Sequence, residues 1–190
     1  EDRRDEDPMT RGLALRSLTS LRLPNIVEYL PQQITAGLQD QSPYVRKTAV
    51  IGCIKLFLVS PEAVTSTDLV DTLYKMLRDR DPQVVANCVC ALDEILHAEG
   101  GMVINKQIIH HLLNRMKEFN EWSQCIVLEM VARYKPETQQ ETFDVMNLLE
   151  ERLKHSNSAV VLGERVRQGR PRVPPIGTGG DRRPAGPRRR

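Results

Sequence analysis

Aromatic side chains are scarce in this sequence, at 4% of residues, with one Trp, three Phe and four Tyr. Any core it builds is therefore aliphatic, made of Leu, Val, Ile and Met, which suits helix packed on helix. No run of about 18 consecutive apolar residues occurs, so no stretch reads as a membrane-spanning helix. No charged segment followed by an apolar run opens the chain, and no secretory signal is expected. Cysteines are few: Cys53, Cys88, Cys90 and Cys125, each among apolar neighbours inside a predicted helix. Buried reduced thiols of a cytosolic protein are expected, in preference to a disulfide or a metal site.

The chemistry of catalysis is also missing. Gly100-Gly101 is an isolated pair, not a phosphate-cradling loop. His110 and His111 are adjacent, so on a helix they point roughly 100° apart and cannot share one ion. Cys88-x-Cys90 puts its thiols on nearly opposite helix sides. Asp93-Glu94 and Glu150-Glu151 read as solvated polar faces and not as catalytic carboxylate pairs. Trp122, at a helix start, is expected to pack at a repeat junction. No catalytic, cofactor-binding or metal-ligating residue is nominated, no cofactor is implied, and the chain does not read as an enzyme. No partner-contact residue is nominated either.

Net charge is only +2, and it hides an asymmetry. Residues 163–190 hold nine Arg against Glu164 and Asp181, a local balance of +7, which leaves residues 1–162 at −5. An acidic body gives no reason to expect nucleic acid as a partner.

What the chain does contain is one phrase, repeated. Asp81-Pro82 is a helix start: the carboxylate can accept from first-turn N–H groups, and proline fits the first helical position. Val84, Val85, Cys88, Ala91, Leu92, Ile95 and Leu96 then recur at helical spacing. Ser42-Pro43 opens a second copy with Val45, Ala49, Val50, Cys53 and Leu56. Asp7-Pro8 opens a third with Ala14, Leu15, Leu18 and Leu21. Asn120 caps a fourth, with Val127, Leu128, Val131 and Tyr134, and Ser156 begins a fifth. The three prolines stand 35 and 39 residues apart, and such a period marks a helical repeat array.

Helices are expected from Pro8 to about Arg22, across Ile26–Leu38 with Pro31 starting a fresh turn or kinking the stripe, and from Pro43 to about Val59. Further helices are expected over Leu69–Leu77, from Asp81 to Gly100, over Ile108–Met116, and from Asn120 to Tyr134. Ser60-Pro61-Glu62 and Lys135-Pro136 read as breaks. Thr138-x-x-Glu141 reads as a capping box that introduces Phe143, Met146, Leu149 and Leu153. Nine helical segments, in antiparallel pairs, make an all-α solenoid of the HEAT/armadillo kind over residues 1–162. Its end helices are expected to leave Leu13, Leu18 and Leu21, and Leu148, Leu149 and Leu153, exposed.

After Leu162 the fifth copy stops. Glu164, Arg165, Arg167 and Gln168 occupy positions the apolar stripe needs, and Gly, Pro and Arg dominate thereafter. Residues 163–190 cannot bury enough apolar surface to fold and are expected to be a disordered tail. A basic arm for RNA or anionic lipid is one reading of it. Translated non-coding sequence is the reading preferred, since Arg, Gly, Pro and Ala share GC-rich codons. The first residues run straight into a repeat helix, which points to a segment of a longer protein.

With the repeat established, individual motifs can be matched. Asp7-Pro8-x-x-Arg11-Gly12-Leu13-Ala14-Leu15-Arg16, Ser42-Pro43-Tyr44-Val45-Arg46-Lys47-Thr48-Ala49, Val85-Ala86-Asn87 and Glu121-Trp122-x-Gln124 resemble the trunk of a β-adaptin. That is the large β subunit of a heterotetrameric adaptor-protein coat complex. The resemblance covers residues 5–162, and Ile104-Asn105-Lys106-x-Ile108-x-His110-His111-Leu112-Leu113-Asn114-Arg115-Met116 is most similar to the β subunit of the fourth adaptor complex. Ser123 stands where the family usually carries Gly.

The resemblance implies a scaffold in intracellular protein transport at trans-Golgi and endosomal membranes. It implies the second large, medium and small adaptor subunits as partners. It also implies peripheral membrane association and recruitment by an Arf-type GTPase through repeats preceding residue 1. Rival readings are another helical scaffold, importin-like or phosphatase-scaffold-like, and an enzyme on a helical solenoid. A single Trp cannot supply the repeated Trp/Asn ladder of an importin, and no ion or nucleotide site is found for the enzyme.

Overall fold

Proline placement explains where the helices start. In the computed structural model, which describes residues 5–21 and 23–150, five helices begin on a proline. They are α1 (Pro8–Ser20), α2 (Pro24–Val27), α4 (Pro43–Val59), α5 (Pro61–Thr65) and α7 (Pro82–Ile95). The others are α3 (Leu30–Leu38), α6 (Leu69–Met76), α8 (Lys106–Asn114), α9 (Glu121–Arg133) and α10 (Gln139–Glu150). Short 3-10 turns follow α7 and α8, and there is no strand among the described residues.

The caps follow the expected chemistry. Asp81 accepts from the N–H groups of Gln83 and Val84, Asp7 from Met9, and Asn120 from Ser123. Gly100 and Gly101 both take positive φ, at 99° and 91°, and end the α7 segment there.

One boundary differs from the sequence reading. Ser60-Pro61-Glu62 is not only a break, because Pro61 opens the five-residue helix α5. At Pro31 the fresh turn forms: the 26–38 stripe splits into α2 and α3, with Pro31 in the first turn of α3. The described residues therefore hold ten α-helices where nine were expected over the whole chain. The fifth copy at Ser156, Leu153, Glu151 and the tail from Gly163 lie outside the described residues.

The helices form two layers. In one, α1 packs on α4, α4 on α7 and α7 on α9; α3, α6, α8 and α10 make the other. Between them lies one continuous aliphatic core. Ile34, Leu56, Leu73, Leu92, Ile109 and Leu128 are among its fully buried members. Burying each such side chain stabilises the fold by roughly 1.5–3 kcal/mol before conformational entropy is counted. Val85, Cys88, Leu92 and Ile95 are all buried, as the stripe requires.

A second set of contacts fixes the spacing between repeats. Arg11 forks onto Asp40 at 2.8 and 2.9 Å and also donates to the Asp5 and Glu6 carbonyls. Arg46, at the matching place in the next copy, forks onto Asp79 at 2.7 and 2.9 Å and donates to the Asp40 and Gln41 carbonyls. In the third copy that place is Val85, which is buried and cannot donate. Arg115, one repeat further on, supplies the missing guanidinium. It donates to the Asp79 and Arg80 carbonyls and pairs with Glu118. The same loop is closed from the opposite side.

The last described helix presents a different face from the one expected. Glu141, Val145 and Leu149 are buried, whereas Phe143 is 65% exposed and Met146 40% exposed. Tyr134 donates to the Glu141 carboxylate, which also accepts from the Glu137 N–H at 3.0 Å. Glu141 N–H in turn reaches Thr138 Oγ1 at 3.2 Å, so half of the expected capping box forms. Of the expected exposed ends, Leu13 and Leu21 are about half exposed at 49% and 47%, Leu18 is half-buried, and Leu149 is fully covered.

Candidate interaction surface

The repeat phrase sets which positions face outward from the first layer. One residue after each helix-opening position come Met9, Tyr44, Gln83 and Trp122, a column in register across α1, α4, α7 and α9. Five residues after the openings of α4 and α7 come Thr48 and Asn87. A groove of about 530 Å³ runs across this face, lined by residues of all four helices and the Asn120 cap.

Three of the lining residues are cationic: Arg16, Lys47 and Lys55. Lys47 Nζ lies 3.2 Å from Gln83 Oε1 and 5.5 Å over the Tyr44 ring. Lys55 Nζ donates to Ser20 Oγ at 2.8 Å. Arg16 is exposed. Among the described residues, none of the three meets a carboxylate. Gln83, Asn87 and Asn120 add amides, and no Asp or Glu lines the groove.

Trp122 corrects a sequence expectation. It is 83% exposed and is not packed at a repeat junction. The register explains this: its position in the phrase is the outward one, shared with Tyr44 and Gln83, so the helix turns it away from the core.

Cys53 and Cys88 are buried, and Cys90 and Cys125 are half-buried; all four are free thiols. Burial pushes the Cys53 thiol up to about 12 and raises Cys88 further still. Asp93 Oδ1 sits 2.8 Å from Arg133, an ion pair out of line for a hydrogen bond. Glu94 and Glu150 are exposed. His110 and His111 are neighbours on α8, and the Nε2 atom of each is buried without a hydrogen-bond partner. No group of three or more metal-ligating side chains converges among the described residues. Nor is any described helix long and apolar enough to cross a membrane.

A two-layer stack of helix pairs held by a repeated ion-pair ladder, with an outward polar groove, defines a helical-repeat scaffold. Solved structures support that class: the chain has a TM-score of 0.54 with a designed armadillo repeat protein in complex with a (KR)4 peptide. That likeness covers 86% of this chain and 76% of the other at 15% identity. An engineered protein gives a TM-score of 0.52, covering 87% and 74% at 17% identity. At such identities the likeness shows the fold alone.

The family pattern Cnd1, non-SMC mitotic condensation complex subunit 1, matches residues 9–165. Pairwise, the chain is 49% identical to AP-4 complex subunit beta-1 of Mus musculus, over 86% of the chain and 22% of that protein. It is 50% identical to Beta-adaptin-like protein A of Arabidopsis thaliana, over 85% of the chain and 20% of that protein. With AP-1 complex subunit beta-1 of Homo sapiens the identity is 38%, over 85% and 17%. The chain belongs to the family that this pattern describes, and its identities mark it as part of a β-adaptin. The mitotic role in the family's description is not shared by name with these relatives. The chain spans about a fifth of their length.

Proposed function

We propose that this chain is part of the β-subunit trunk of a vesicle-coat adaptor complex, working as a scaffold in intracellular protein transport. The observation that carries the reading is identity of 49% and 50% to two β-adaptins, spread over 163 and 172 residues. Repeat proteins that share only the fold stand at 15–17% identity to this chain, so identity near one half exceeds what a shared repeat alone requires. Its partners in this reading are the second large, medium and small adaptor subunits. Peripheral association with trans-Golgi or endosomal membranes, through the assembled complex and an Arf-type GTPase, belongs to the same proposal.

So does the division at residue 162. The repeats are the working part, and the Arg-rich 163–190 is dispensable to them.

Co-expression with the medium and second large subunits of the fourth adaptor complex tests the reading. Recovery of a stoichiometric complex is the expected result. A chain that stays alone, while the complete β subunit assembles under the same conditions, would overturn it.

A further inference from the structure

We infer that the groove across α1, α4, α7 and the start of α9 holds an extended, acidic polypeptide segment. This goes beyond the adaptor reading and stands on the groove's own chemistry.

Charge comes first. Residues 1–162 sum to −5, yet this groove gathers Arg16, Lys47 and Lys55 and no carboxylate. Four arginines elsewhere in the scaffold do meet carboxylates: Arg11 with Asp40, Arg46 with Asp79, Arg115 with Glu118 and Arg133 with Asp93. Concentrating cations away from counter-charges raises the local potential, and a low-dielectric cleft wall strengthens it. An anionic occupant relieves it.

Hydrogen bonding comes second. Gln83 and Asn87 lie four residues apart on α7, with Asn120 at the next helix start. Asn87 can both donate and accept, while Gln83 and Asn120, whose oxygens already take Lys47 Nζ and the Ser123 N–H, offer their NH2 groups to the C=O groups of an extended backbone. A nucleic-acid strand offers phosphates to the cations but no such backbone. The acidic body also repels a long polyanion, which disfavours nucleic acid and favours a short acidic run.

Length comes third. Three helix-to-helix steps of roughly 8–10 Å each make the groove about 24–30 Å long. An extended chain at about 3.4 Å per residue covers that with about eight residues. The chain's own Arg-rich 163–190 has the wrong sign to occupy it.

The sole tryptophan, Trp122, stands beside the groove: it lies between the lining residues Asn120 and Ser123 in the chain and is open to solvent. The test titrates the 190-residue chain with a fluorescein-labelled peptide of about eight alternating Glu and Ser residues. A Lys/Ser peptide and an oligo-dT of equal charge serve as comparisons. Anisotropy and Trp122 emission should both report binding of the Glu/Ser peptide, weakened steeply by salt. The Arg16→Ala/Lys47→Ala/Lys55→Ala variant should bind at least about tenfold more weakly, with its circular dichroism unchanged. If that variant does not fold, Asn87→Asp decides instead: it adds one like charge and should weaken binding several-fold. No binding by the wild-type chain, unchanged binding by the variants, or equal binding of oligo-dT would each overturn the inference.

Discussion

Arg46 and Asp79, 33 residues apart, join two successive repeats through a forked ion pair at 2.7 and 2.9 Å. The same guanidinium caps the Asp40 and Gln41 carbonyls, so one side chain holds its own loop and the next. Arg46→Ala leaves a half-buried carboxylate and those carbonyls without their donor. It should lower the unfolding free energy by about 2 kcal/mol, between the values for exposed and buried pairs. Urea melts of Arg46→Ala, Asp79→Ala and the double variant would give the coupling between them. A coupling near zero would show that the fork is a surface ornament.

The same pairs set the acid limb of stability. The hydrogen bonds from Arg11 hold Asp40 below the usual carboxylate range. Burial pushes Asp79 up, but Arg46 and the Asp81 N–H outweigh it and leave it low. Folded values below the unfolded value of about 3.9 give stability that is complete above that pH. It is lost as pH falls through the folded values. Melts at pH 7 and 5 should therefore agree in this contribution, with the decline beginning below about pH 4. In Asp79→Asn that decline should be shallower.

Gly37→Ala should destabilise even though alanine is the better helix former. A Cβ there would lie 2.6 Å from Leu15 Cδ2 and 3.0 Å from the Ala49 Cβ, where α1, α3 and α4 meet. Overpacking of this kind costs about 1–3 kcal/mol, against a propensity gain of about 1. Thermal melting of the single variant measures the balance, and a raised Tm would refute the close approach.

The thiols should divide by burial. Cys53 and Cys88 lie in the core with raised thiol pKa values, so a disulfide reagent should reach them only through unfolding. Cys90 and Cys125 are half-buried and should react earlier. Mass spectrometry of partly labelled protein would order them, and early labelling of Cys53 or Cys88 would contradict the packing.

Trp122→Ala should leave stability within about 0.5 kcal/mol, because the side chain buries little in the fold. Its emission in the native chain should resemble that of a solvated indole. A strongly blue-shifted native spectrum would mean that the ring is covered.

The sequence alone determined the parts of this protein that are local. Proline at the first helical position, Asp7, Asp81 and Asn120 as caps, paired glycines at 100 and 101, and the apolar stripes all act within a turn or two. Their effect does not depend on what packs alongside. Tertiary structure decided whatever depends on a neighbour. The Glu141 carboxylate turns inward because Tyr134 and the Glu137 N–H receive it, and the face of α10 rotates away from Phe143 and Met146. Arg115 replaces an arginine absent at Val85 because stacking brings the next repeat to the same two carbonyls. Arg16, Lys47, Lys55 and Asn87 are unremarkable in sequence, scattered over 72 residues, and become one groove only when α1, α4 and α7 align. Helix periodicity tells which side of one helix is apolar; only the packed layers fix which polar sides share a surface.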